Sequence, residues 1–125
     1  MTVSEVRYPG QAAIEAYGNG GFRFGGMSHR GSILCLPSGV YDWAAIDVDG
    51  VTVADFARIF QEAERISFVL LGVGRTVAMP SAAVRKAFAE ANVGLEVMDT
   101  GAAARTYNVL LAEGRPLAAA LIAVA

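Results

Sequence analysis

One cysteine and one histidine in 125 residues leave little from which to build a metal or redox centre. Cys35 has no second thiol for an intrachain disulfide, and with only His29 beside it an all-protein Cys/His zinc site cannot form. Neither a metal nor a cofactor is expected. A positive surplus is missing too. Ten basic residues stand against twelve acidic ones, and binding to a phosphate backbone by counterion release needs the opposite balance. No nucleic-acid partner is expected. Long apolar runs are absent as well: the longest, Leu117 to Ala125, has nine residues, about half of what a helix needs to cross a ~30 Å hydrocarbon layer. The start, Met1-Thr2-Val3-Ser4-Glu5, lacks the basic residues and apolar stretch of a secretory signal. A soluble, cytoplasmic chain that does not span a membrane is expected.

What the chain does have is apolar side chains, 54% of it, and fourteen glycines. Its length suits one domain, residues 1–125. A domain of this size with so apolar a composition carries more greasy surface than one core buries, so a protein partner or a second copy of the chain is expected to cover the excess.

Residues 1–50 alternate polar with apolar positions, as in Phe22-Arg23-Phe24 and Ile33-Leu34-Cys35-Leu36, between turn formers such as Gly25-Gly26 and Pro37-Ser38-Gly39. Short strands and hairpins are predicted, with Gly18 to Gly21 as a tight loop. From Thr52 the period changes. Val53, Phe56, Ala57 and Phe60 fall on one helical face, and Thr52 with Asp55 forms a capping box, which predicts an amphipathic helix over 53–64. Ile66 to Leu71 reads as a strand covered on both faces. Pro80-Ser81 opens a helix whose Val84, Ala87, Phe88 and Ala91 share a face. A strand from Val93 to Met98, a helix from Ala102 to Ala112 and a strand from Leu117 to Val124 follow, with Gly114 where a helix C-cap favours a left-handed residue. This alternation predicts a parallel or mixed sheet with right-handed crossovers.

Gly72-Val73-Gly74-Arg75 closes a buried strand, where open α/β sheets place their ligands. Its glycines would let backbone amides approach an anion that Arg75 pairs bidentately. The alternative is a loop that merely turns the chain, for neither a dinucleotide fingerprint nor a P-loop is present. Thr100 either presents the first amides of a helix to an anion or is simply the N-cap. Tyr107 shares a face with Ala103, Leu110 and Leu111, so its ring is core and its hydroxyl reaches a partner at the edge. Asn108 and Arg105 line a pocket edge or face water. A Ser-His-Asp arrangement of His29 with Asp42 or Asp47 can be drawn, yet no nucleophile elbow accompanies it. Cys35, in an apolar strand without a cationic neighbour, is inert. Asp42, Asp47 and Asp49 lie among turn residues and are solvated. No catalytic residue is expected.

Gly25 to Leu36, Leu70 to Gly74, Gly94 to Thr100, Ala104 to Leu110 and Glu113-Gly114-Arg115 together carry a resemblance. From about Tyr17 onward the chain resembles the small single-domain family that includes mitochondrial complex I assembly factor 3 and the adipogenesis-associated domain proteins. The resemblance implies a three-layer α/β domain: a central mixed, mostly parallel sheet flanked by helices, with an additional small β-layer from the N-terminal half. It also implies a non-enzymatic protein-binding role in assembling another complex, such as a respiratory or other membrane complex. Carried over by position, its loop and cleft residues are Gly72, Gly74, Arg75, Thr100, Tyr107 and Asn108. The mitochondrial members' targeting extension has no counterpart here, which implies the prokaryotic, cytoplasmic kind. The competing function is a small-molecule or anion-binding protein, an enzyme included, that uses the Gly72–Arg75 loop beside the start of the Thr100 helix.

Overall fold

The computed structural model describes residues 6–125. Met1 to Glu5, on which the expectation about a secretory signal rests, lie outside the described residues. The first half is built of strands: β1 (Val6–Pro9), β2 (Ile14–Gly18), β3 (Gly21–Phe24), β4 (Met27–Arg30), β5 (Ser32–Leu36) and β6 (Gly39–Trp43). Three of these, β2, β3 and β4, pair antiparallel into a small separate sheet. Asn19 (φ 52°) and Gly20 (φ 80°) form the two-residue loop between β2 and β3. Positive φ at both positions suits the twist of a hairpin, and Asn-Gly is the pair that tolerates it best.

The second half alternates strand and helix: α1 (Ala57–Gln61), β7 (Phe68–Gly72), α2 (Ala82–Glu90), β8 (Gly94–Met98), α3 (Thr100–Ala112) and β9 (Leu117–Leu121). The main sheet has the order β1-β6-β5-β9-β7-β8. Strand β7 runs parallel to β8 and β9, whereas β9-β5, β5-β6 and β6-β1 are antiparallel. The mixed sheet, its flanking helices and the extra β-layer match the expectation, but the sheet is not mostly parallel. The parallel pairs are confined to β7, β8 and β9, the strands connected through α2 and α3, whereas β5 and β6 form a hairpin that pairs antiparallel with β9 and β1.

Strand β9 lies at the centre, and its Leu-Ala-Ala-Ala-Leu run is buried throughout. Alternation divides its side chains between two cores. Ala118, Ala120 and Ile122 face one core with Phe56, Ile59, Val84 and Phe88 of the α1–α2 layer. Leu117, Ala119 and Leu121 face the other with Tyr107, Ala103 and Ala104 of α3 and with Phe22 and Phe24 of the small sheet. Alanine on β9 lets both layers approach closely. At the end of α3, Gly114 (φ 76°) closes a Schellman motif, with Arg115 N–H donating to Leu110 O (3.1 Å) and Gly114 N–H to Leu111 O (3.0 Å).

Most boundaries shift by one or two residues, and two elements differ by more. The helix predicted over 53–64 is a 3-10 turn (Val53–Phe56), the short α1 and a second 3-10 turn (Ala63–Arg65). The Asp55 carboxylate does accept from Thr52 N–H at 2.7 Å. Past Ile59, however, Glu62 is drawn to the β5–β6 turn, where it accepts from Ser38 N–H and Oγ. The last strand stops at Leu121, not Val124. Ala123 N–H donates to Ser32 Oγ (2.9 Å) and Val124 O accepts from Gly20 N–H (2.7 Å), so the chain leaves the ladder to tie down the small sheet.

Candidate functional site

The carboxyl end of β7 and the first turn of α3 meet in one corner. Gly72 is needed there for close approach, because a Cβ on it would lie 2.9 Å from Thr100 Cα and 3.2 Å from Ala103 Cβ. Thr100 is fully buried. Its hydroxyl donates to Ile122 O (2.7 Å) and accepts from Gly74 N–H (2.9 Å), while its own N–H donates to Gly74 O (2.8 Å). The N-cap of α3 is not Thr100 but Asp99, whose carboxylate accepts from Ala102 N–H at 2.9 Å. Thr100 lies one residue inside the helix because its hydroxyl is held by the sheet. Arg75 is exposed and donates to the Ala125 carbonyl.

Gly72, Gly74, Arg75 and Thr100 are thus brought together, and three polar groups of the corner, Gly74 N–H, Thr100 N–H and the Thr100 hydroxyl, are held within the chain. Tyr107 and Asn108 lie elsewhere, about two turns further along α3. The Tyr107 ring is core, as expected, but its hydroxyl does not reach a partner at the edge: it is buried with no hydrogen bond. The ring is fully buried in the core that α3 forms with β9 and the small sheet. Asn108 is half-buried. Its side-chain amide accepts from Ile14 N–H and donates to Ile14 O, both at 2.8 Å, stapling β2 to α3. Arg105 donates to the Tyr17 hydroxyl at 3.2 Å.

Burial pushes the Cys35 thiol up to about 12 and raises the Tyr107 phenol further, Tyr107 also by the charge of a Cys35 thiolate. Both groups stay protonated at neutral pH, so neither supplies a nucleophile or a base. His29 does approach Asp42, with Nε2 3.2 Å from Oδ1 and 3.3 Å from Ser32 O. Two acceptors facing Nε2 assign its proton to that nitrogen. The nearby Ser32 hydroxyl is no nucleophile, for it donates to Ala45 O (2.8 Å) and accepts from Ala123 N–H. Asp47 instead caps a 3-10 turn by accepting from Gly50 N–H. Among the described residues no three His, Cys, Asp or Glu side chains are grouped to hold a metal.

Two surface features lay outside the residue-by-residue reading. Arg75 to Met79 form an exposed loop after β7 in which Val77 and Met79 are 55% and 57% accessible. A trough of about 450 Å³ opens on the outer face of the small sheet, flanked by Arg23 and Arg30. In sequence, the period-two placing of Ser28 and Arg30, across a Gly25-Gly26 turn from Arg23, is the signal for the second.

The family described as "Protein of unknown function (DUF498/DUF598)" matches residues 14–122. Over 122 residues the chain is 34% identical to an uncharacterised protein of Rhodobacter capsulatus, spanning 98% of this chain and 93% of that one. It is 30% identical over 122 residues to NADH dehydrogenase (ubiquinone) 1 alpha subcomplex assembly factor 3 of Rattus norvegicus, spanning 98% of this chain and 66% of the relative. A crystal structure described as an outer membrane protein from Bartonella henselae superposes with a TM-score of 0.92 at 45% identity, covering 95% of this chain and all of the other. No helix among the described residues is long and apolar enough to cross a membrane.

Proposed function

Because the chain belongs to the family described as protein of unknown function DUF498/DUF598, we propose that it is a non-enzymatic protein-binding module that helps assemble a larger complex, its partner a subunit of a membrane or respiratory complex. The observation that carries this reading is the likeness along 98% of the chain to a protein named as an assembly factor. The exposed loop supports it. Val77 and Met79 offer exposed apolar surface beside the exposed cation Arg75, a composition suited to docking against another protein. We take the working compartment to be the cytoplasm and residues 1–125 to act as one domain.

Affinity capture from the native host, followed by identification of what is bound, tests the reading. A subunit of a membrane complex is the expected companion. A protein that captures no such subunit and instead turns over a metabolite would contradict it. Fractionation of the same cells checks the compartment: recovery with the outer membrane would overturn the cytoplasmic assignment.

A further inference from the structure

We propose that the trough on the outer face of β2-β3-β4 binds the phosphoryl group of a small molecule between Arg23 and Arg30. Strand register builds it. Ala16, Arg23 and Ser28 form one cross-strand row, and Gly18, Gly21 and Arg30 form the next. The opposite face carries Phe22, Phe24 and His29, which are buried against the main sheet. These two rows line the trough between the two arginines, with Tyr17 and Asn19 of the β2–β3 hairpin beside them. Gly21 is obligatory in its row, because a Cβ there would fall 2.1 Å from His29 O.

The charge at this face is unbalanced. Arg23 and Arg30 sit on neighbouring strands in adjacent rows, where like charges repel. Arg23 donates to Ser28 Oγ at 2.9 Å and has one long contact, 3.6 Å, with an exposed Glu15. Among the described residues no carboxylate lies within salt-bridge distance of Arg30. An anion between the two guanidinium groups relieves the repulsion and gains forked, charge-assisted hydrogen bonds. The Ser28 hydroxyl, which accepts from Arg23, keeps its proton to donate.

Geometry favours phosphate over carboxylate. One guanidinium fork occupies both oxygens of a planar carboxylate, whereas a tetrahedral phosphoryl group offers three oxygens and can meet forks arriving from two strands. A volume of about 450 Å³ leaves room for the rest of a small metabolite. The chain's net charge of −2 gives no general attraction for anions, so recognition must be local. The protein-binding reading rests on the likeness to an assembly factor and on Val77 and Met79, none of which line this trough, so failure of the site would leave that reading untouched.

Backbone amide NMR of the full chain, titrated with inorganic phosphate, glycerol 3-phosphate, acetate and vesicles containing phosphatidic acid, tests the proposal. Saturable shifts at Arg23 and at Ser28 to Arg30 are expected with both soluble phosphates, and weaker ones with acetate. Binding by vesicles alone would overturn the small-molecule source. Arg30→Gln and Arg23→Gln should each lower phosphate affinity about tenfold, the loss of one charged fork, with thermal unfolding unchanged. Arg75→Gln should leave affinity as it was. The proposal is overturned if no phosphate shifts these amides, if Arg30→Gln binds as tightly as the parent, or if the shifts gather at Gly74 and Thr100 and vanish with Arg75→Gln.

Discussion

Thr100 shows how far one hydroxyl can reach: it closes the end of β7, the first turn of α3 and the exit of β9 through two hydrogen bonds. Thr100→Val keeps the shape and strands Gly74 N–H and Ile122 O, which should cost about 1–3 kcal/mol in chemical denaturation. An unchanged midpoint would mean that water satisfies both groups. Tyr107→Phe should behave in the opposite way. Its hydroxyl is buried without a partner, so removing it should leave stability equal or raise it by up to about 1 kcal/mol. A clear loss would show that the oxygen is bonded. Burial also sets a pH dependence. Cys35 goes from an ordinary 9.0 to about 12 in the fold, and the Tyr107 value rises above its ordinary 10.0. Between the unfolded and folded values the native state holds protons that the unfolded chain has released, so stability should be level near neutrality and fall as pH climbs past about 9. Combining Cys35→Ala with Tyr107→Phe should flatten that decline. Little of this could be read from sequence: the core place of Tyr107 follows from helical spacing, but the fate of its hydroxyl depends on β5, far away in the chain.

At the scale of elements, local signals were legible and distant ties were not. The Gly18–Gly21 hairpin, the Ser81 cap of α2 and the Gly114 stop of α3 are each specified by residues within one turn of the feature. The helix predicted over 53–64 broke because Glu62 serves Ser38, 24 positions earlier. The Asn108 staple escapes local signals for the same reason, since its partner Ile14 lies 94 positions away. That staple fixes how the small sheet lies on α3. Asn108→Ala leaves both Ile14 backbone groups without their partner, and amide exchange along β2 should quicken while exchange along β7 and β9 stays slow. Equal acceleration everywhere would show that the small sheet does not move as a separate layer.

For the molecule as a whole, the mixed sheet, its helices and the extra β-layer were legible from the change of period at Thr52 and from the family-like C-terminal block. The parallel share was overestimated, because period alone does not say how β5 enters beside β9. The two cores share that sheet and should fail together. Each has its own reporter, Trp43 on the α1–α2 side and Cys35 on the α3 side. Trp43 fluorescence and Cys35 alkylation should therefore trace one denaturation curve, and separated midpoints would contradict a single cooperative domain. The candidate site was only half legible: Gly72, Gly74 and Thr100 do converge, yet their polar groups bond within the chain, while Val77 and Met79 and the trough on the small sheet lie open among the described residues. If the protein docks a partner, the exposed apolar pair Val77 and Met79 is where it should do so. The direct test is to measure binding of the captured subunit to purified protein carrying Val77→Asp and Met79→Asp together. Binding should fall at least about tenfold, as burial of two such side chains requires, with the unfolding midpoint unchanged; undiminished binding by the folded variant would contradict the account.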